Sequence, residues 1–234
     1  MTSYFDPFIV TQIVNNYFTD CFLIIFCSVL IYCAMTQYLF LIPTRFQSIV
    51  EIIFEHWTTV IEENLGKDYR FYVLPLTSLF MFILGLNLLG FFAYTFTPTT
   101  HISITFGMAF SVWIGVIFLG FKKFKFNFLS MFMPHGAPLL MSPFLVMIEI
   151  ISNISRPIAL GMRLAANLTS GHVLLVILSD FGWKLIVSTF GFTVVLPIII
   201  TSLMCLLEVG VLVIQAYVFC LLSMIYIKDS SELH

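Results

Sequence analysis

Residues 149–172, EIISNISRPIALGMRLAANLTSGH, decide how the chain is read. Arg163 lies inside this apolar stretch with no acidic neighbour beside it in the sequence. An ionisable group at membrane depth is costly, so it marks a functional site by default. Arginine narrows the chemistry further, because its guanidinium effectively never loses its proton and burial leaves it charged. At about 100° per helical residue, the positions within about 60° of Arg163 are Glu149, Ser152, Arg156, Ala159, Leu160, Ala166, Asn167 and Ser170. Most are small or polar, which is the kind of face that lets another helix approach closely within a bilayer. The opposite face carries Ile150, Ile154, Ile158 and Leu168, with His172 as its one polar group.

The whole chain supports a membrane setting. Its 234 residues are 60% hydrophobic and only 9% charged, a balance outside the range of soluble domains. The net charge of −2 and the lack of a basic run exclude a nucleic-acid-binding reading. Cys21, Cys27, Cys33, Cys205 and Cys220 all fall in apolar stretches and read as buried thiols. No His/Cys spacing points to a metal, and no cofactor is expected. The opening MTSYFDPF has neither a basic n-region nor an Arg/Ser-rich leader, so no cleavable presequence is expected.

Working outward, residues 21–42 form a first span that stops at Pro43. Residues 44–64 mix Ile49, Ile52, Ile53 and Trp57 with Glu51, Glu55, Glu62 and Glu63, which predicts an amphipathic helix lying at the interface. His56 and Trp57 fit the interfacial role. Two spans, 71–96 and 102–121, follow as a hairpin (residues 71–121) joined by TPTTH, with Asn87 as a helix-packing hydrogen bond or a cavity-lining amide. After Lys122–Lys125 and a loop with Pro134, Gly136 and Pro138 come two long segments, 139–178 and 185–228. No repeat or linker breaks the chain, so residues 1–234 are expected to be one all-α membrane domain of about five spans plus the interfacial helix. Five crossings with the N-terminus outside put Arg45, Lys67, Arg70, Lys122, Lys123, Lys125 and Lys228 inside, against Lys184 alone in the last outer turn.

The last two segments are too long for a simple crossing. About 40 helical residues run ~60 Å, roughly twice the ~30 Å hydrocarbon core, which predicts a steeply tilted antiparallel pair over residues 139–228. Pro157 and Pro197 allow bending. On the last segment Glu208, Gln215, Tyr226 and Asp229 share one face. In an antiparallel pair, facing residues have numbers that add to a nearly constant total. That rule brings His172 to Glu208, Arg163 to Gln215 and Glu149 to Asp229. Two titratable pairs thus flank a fixed cation, and chains of such groups in membranes mark proton relays. Gln215 can hydrogen-bond Arg163 without cancelling its charge. The plainer alternative makes these groups ion pairs that lock two helices, with Arg156 paired to a neighbour or a lipid headgroup.

The stretches ISNISRPIALGMRLAANLTSGH and LEVGVLVIQAYVFCLLSMIYIKDSSELH resemble subunit a (subunit 6) of the mitochondrial F-type ATP synthases over residues 145–234. The NLLGFFAYTFTPT stretch is similar to the family's NLxGxxPYxFxxT region, with Ala93 where proline usually falls. Bacterial members have an acid and a histidine swapped relative to His172 and Glu208, which places the resemblance on the mitochondrial side. The resemblance implies a non-catalytic, proton-translocating stator subunit, held against a ring of c subunits beside peripheral-stalk and other membrane subunits. It implies a multi-pass protein of the mitochondrial inner membrane, in contact with lipid and binding no nucleotide. By position, Arg163 is the essential charge facing the ring carboxylate. Glu149 and Asp229 belong to the matrix-side path, and His172 and Glu208 to the intermembrane-space side. Asn167, Gln215, Ser170 and Tyr226 line the route.

Two other classes are weighed. A secondary ion transporter would show paired broken helices in repeated halves, which are absent from the sequence. A structural or haem-bearing subunit of a respiratory complex would need membrane histidines in sets, whereas His172 stands alone in the spans.

Overall fold

The structure, a computed structural model, describes residues 12–14, 18–19, 22, 25–30, 33, 45–66, 69–92, 98–125, 128, 141–188 and 195–231. Five helices account for most of them: α1 (Arg45–Leu65), α2 (Tyr69–Phe92), α3 (Ile102–Phe124), α4 (Ser142–Ser188) and α5 (Val195–Ser231). The only β structure among the described residues is a short antiparallel pair, β1 (Gln12–Val14) and β2 (Phe18–Thr19), with Gln12 opposite Thr19. The all-helical membrane class therefore holds. Helices α2 to α5 are each long and apolar enough to cross a bilayer. Most of the expected first span, residues 21–42, lies outside the described residues, as do Lys67 and the loop around Pro134, Gly136 and Pro138.

Helix α1 follows its hydrophobic spacing only in part, with Ile49 and Ile52 exposed. Trp57 and Ile61, four apart, are fully buried, while Glu51, Glu55, Glu62 and Glu63 are exposed. Trp57 is an anchor packed against protein, and exposed His56 packs edge-on against its ring. The helix stops at Gly66, whose φ of 62° is the left-handed conformation that glycine adopts at little cost.

By its contacts the chain divides into two compact units. One comprises Met1–Tyr38, Phe80–His101 and Leu164–Tyr217; the other comprises Leu39–Leu79, Ile102–Arg163 and Val218–His234. In the first unit, α2 meets α5 through Asn87, which is fully buried and donates from Nδ2 to the Leu212 carbonyl at 3.3 Å. The helix-packing reading of Asn87 is the observed one. Helix α4 meets α5 where an added Cβ on Gly182 would sit 3.2 Å from Pro197. In the second unit, the Cys220 thiol donates to the Leu76 carbonyl at 2.9 Å, so α2 and α5 touch there too. Helix α3 approaches α4 at Gly161, where an added Cβ would meet the Phe106 backbone at 3.3 Å. Small residues admit these close approaches, as bilayer packing requires.

The two long helices differ in extent from the sequence reading. Helix α4 has 47 residues and α5 has 37, so α4 runs ten residues past the expected end at 178. Lys184 sits on its last turns, bonded to Asp180 at 3.0 Å, and is not in a turn. That i,i+4 pair lets the helix carry both charges and continue. Pro157 is inside α4, whereas Pro197 is the third residue of α5, where a missing N–H breaks no helical bond. Pro197 therefore starts a helix and does not bend one. Of the thiols, Cys220 is buried as expected but Cys33 is exposed.

The burial of Trp57 makes a prediction. Trp57→Ala should cost ~3–5 kcal/mol by leaving a cavity, while Ile52→Ala, at a position 65% exposed, should cost about 0.5 or less. Thermal loss of the subunit from the assembled complex measures both; equal midpoints would contradict the buried anchor.

Candidate functional site

Each unit holds one cluster of polar groups among apolar side chains. In the first unit, α4 supplies His172 and α5 supplies Glu208. Glu208 is only 6% exposed, and His172 Nδ1 lies 3.9 Å from its Oε1. The separation exceeds a hydrogen bond, and neither carboxylate oxygen has a hydrogen-bond partner among the described residues. The pair predicted from the antiparallel register is therefore present, with its carboxylate not tied to a fixed donor. Phe91 of α2 lies against the imidazole, ring centroids 6.3 Å apart.

The backbone beside this pair explains how Glu208 fits. A Cβ added to Gly171 would come 2.8 Å from Glu208 Oε1 and 3.1 Å from its Cδ. The carboxylate lies directly on the bare glycine of α4. Gly171 was legible in the sequence only as part of a motif; its steric reason is visible once the two helices are side by side.

In the second unit, α4 and α5 meet through an ion pair. Arg156 Nη1 donates to Asp229 Oδ2 at 3.1 Å, with the two side chains 26% and 37% exposed. The Arg156 guanidinium also lies 5.2 Å from the centroid of the Tyr226 ring, a cation–π arrangement. This corrects the predicted pairing of Glu149 with Asp229. Asp229 takes Arg156, two helical turns further along α4, because opposite charges attract where two carboxylates would repel. Glu149 is half-buried and makes no hydrogen bond or ion pair among the described residues.

Two residues that sequence reasoning missed complete this cluster. The Trp113 indole N–H donates to Asn153 Oδ1 at 3.0 Å, joining α3 to α4. Asn153 is four residues before Pro157, whose missing N–H also leaves the Asn153 carbonyl without its helical donor. An amide four residues ahead of a proline was the available signal. Asn153, Arg156, Tyr226 and Ser230, with Trp113 and apolar neighbours, enclose a cavity of about 20 Å³. That is room for one water molecule with several polar partners.

The remaining predicted residues are placed individually. Arg163 is exposed and makes no hydrogen bond or ion pair among the described residues. Along the same helix Ala159, Met162, Ala166 and Ser170 are also exposed, and Asn167 is half-buried. On α5, Gln215 and Tyr226 are half-buried. The described residues contain no cluster of His, Cys, Asp and Glu able to hold a metal ion.

The class these features define is a multi-pass helical membrane protein with ionisable groups held between its spans and an exposed arginine beside small residues. Comparison with known proteins makes the class specific. The family model described as ATP synthase A chain matches residues 17–228. A protein of Metridium senile named ATP synthase subunit a is 44% identical over 232 residues, covering 99% of each chain. A protein of the same name from Rhodospirillum rubrum is 39% identical over 194 residues, 83% of this chain and 79% of that one. The chain belongs to the ATP synthase A chain family, as a membrane subunit and not the catalytic part of the synthase.

The Gly171 contact yields a test. Gly171→Ala should displace the Glu208 carboxylate and slow proton translocation about tenfold, a barrier change of ~1.4 kcal/mol. Adding Glu208→Asp, with a shorter stem, should recover part of the rate. ATP-driven acidification in reconstituted vesicles reads both, and an unaffected alanine variant would show that the contact is immaterial.

Proposed function

We propose that this chain is the stator that forms two offset proton half-routes separated by Arg163 and works against a ring of c subunits in the mitochondrial inner membrane. The observation that carries the proposal is Arg163 itself: exposed on an apolar helix of 47 residues, making no hydrogen bond or ion pair among the described residues. A charge facing lipid at the centre of a span costs at least ~2.5–3.5 kcal/mol. A partner carboxylate removes that cost, and the exposed small residues Ala159 and Ala166 beside it leave room for a helix that brings one. The family supplies the setting, since its members are subunits of a synthase.

The mechanism then follows from electrostatics. A ring carboxyl arriving protonated from lipid meets the Arg163 charge, which favours its ionised form and release of the proton into one route. After passing the cation it takes a proton from the other route and returns to lipid neutral. The membrane potential contributes ~2.3 kcal/mol per charge per 100 mV. In this cycle the chain's residues carry out no phosphoryl transfer; they move protons and hold charge. His172 and Glu208 serve the intermembrane-space side; a buried carboxylate without fixed donors, 3.9 Å from an imidazole, supports exchange over a locked ion pair. Glu149, with Asn153, Tyr226 and the water-sized cavity, serves the matrix side, and Asp229 acts there through Arg156. The helical register read from the sequence sets Asn167, Ser170 and Gln215 along the route beside Arg163. The orientation places the N-terminus towards the intermembrane space and the C-terminus towards the matrix.

The central experiment replaces the cation. Arg163→Lys keeps a charge but loses the planar fork and can lose its proton when desolvated, so ATP synthesis should stop. Arg163→Ala should in addition leak protons, because a ring carboxyl could pass the centre still protonated. Passive conductance and ATP synthesis in vesicles containing the whole complex measure this; wild-type synthesis in the lysine variant would refute the separating role.

The two routes are tested from their own sides. Glu208→Gln should slow ATP-driven pumping with assembly intact. Cysteine at Glu149 or Asn153 should react with a membrane-impermeant thiol reagent supplied from the matrix side, located by peptide mapping. Labelling only from the other side would invert the orientation.

A further inference from the structure

The second unit contains a large apolar groove that none of the proton chemistry uses. It has a volume of about 700 Å³, well inside the range of about 300–1,000 Å³ typical of small-molecule sites. Phe71 and Leu79 of α2, Val112 and Leu119 of α3 and Ile227 of α5 contribute apolar walls. One charged side chain also lines it, Arg70, on the first turn of α2. The groove borders the outer surface of the helices, where Phe71 is 75% and Leu74 67% exposed.

The charge around it has a consistent place. Arg70 begins α2, while Lys122 and Lys123 close α3 and Lys228 lies in the last turn of α5. Of these, Arg70 lines the groove itself, and the lysines follow its α3 and α5 lining residues in the sequence. Lys123 is one helical turn beyond the lining residue Leu119, and its Nζ reaches the Ser231 carbonyl at the end of α5 at 3.3 Å. The acid of that last turn, Asp229, is bonded to Arg156.

A long apolar slot that faces the surrounding hydrocarbon and ends in a cluster of cations matches an amphiphile with an anionic head. We propose that this groove is a binding site for an anionic glycerophospholipid, with an acyl chain along α2 and α3 and the phosphate at Arg70 and the neighbouring lysines. Basic pockets between spans recognise such headgroups by charge, and the acyl chain is held by burial of its methylenes. The Arg70 guanidinium offers five N–H donors, so a phosphate is accommodated together with whatever else it touches. The site uses neither Arg163 nor the polar side chains of either cluster; Val116 alone lines both it and the small cavity.

Gly115 provides a clean test. It lines the groove, and nothing lies within 4 Å of a Cβ added there, so Gly115→Phe fills the slot without striking the backbone. The intact synthase would be reconstituted in vesicles of phosphatidylcholine doped with phosphatidylglycerol carrying a photoreactive diazirine on its acyl chain. A matched set would carry diazirine phosphatidylcholine, and labelled peptides would be mapped by mass spectrometry. The wild type should be labelled within 70–79 and 112–119, preferentially by the anionic lipid. Gly115→Phe should abolish labelling there by both lipids. Arg70→Gln should lower the anionic-to-neutral labelling ratio about fivefold while leaving labelling by phosphatidylcholine in place. Equal labelling by both lipids in the wild type overturns the proposal, as does labelling that survives Gly115→Phe. Absence of lipid labelling in the wild type, with a neighbouring subunit cross-linked to the same residues, overturns it in favour of a protein occupant.

Discussion

Hydrocarbon does not solvate charge, and most of what is particular about this protein follows from that constraint. Each ionisable group in the long helices must meet another protein group, meet water, or face a partner that neutralises it. Arg156 meets Asp229 and the face of Tyr226. Glu208 is set against Gly171 and close to His172. Arg163 is exposed and makes no hydrogen bond or ion pair among the described residues. Three treatments of charge in one pair of helices separate what is structural from what is poised to react.

The distinction is chiefly one of geometry. At 3.1 Å, Arg156 and Asp229 form a charge-assisted hydrogen bond that joins two helices, and removing either member would strand the other. At 3.9 Å, His172 and Glu208 are near enough to influence each other yet not bonded. A buried carboxylate with its hydrogen bonds unmade is expensive as architecture, and such expense is found where chemistry needs it. The Arg156–Asp229 cluster is a bonded ion pair, whereas His172 and Glu208 lie within ion-pair reach without a hydrogen bond between them.

Close approach of backbones is the second theme. Gly161 and Gly171 both lie on α4, one facing Phe106 and the other facing Glu208. Association of helices in lipid gains little from hydrophobic burial and depends on van der Waals fit, so missing side chains matter as much as present ones. On α3, Gly115 has open space beside it and is the wall of a groove. The same residue type thus marks contact in two places and vacancy for a ligand in a third, and sequence alone does not distinguish them.

What the sequence determined by itself is the class, the helices and the identity of the key charges. Hydropathy and length place α2 to α5, the periodicity of residues 44–64 places α1, and the isolation of Arg163 is visible without coordinates. Even the His172–Glu208 pair follows from antiparallel register, because two regular helices leave little freedom once their direction is set. Tertiary structure decided the rest. Asp229 is bonded to Arg156, since register counts positions and is blind to the sign of charge. Trp57 is covered by protein, and an amphipathic pattern says which face is apolar but not whether lipid or protein covers it. The Trp113–Asn153 bond and the glycine beneath Glu208 join residues on different helices, and no periodicity within one helix encodes which side chain of another will stand opposite.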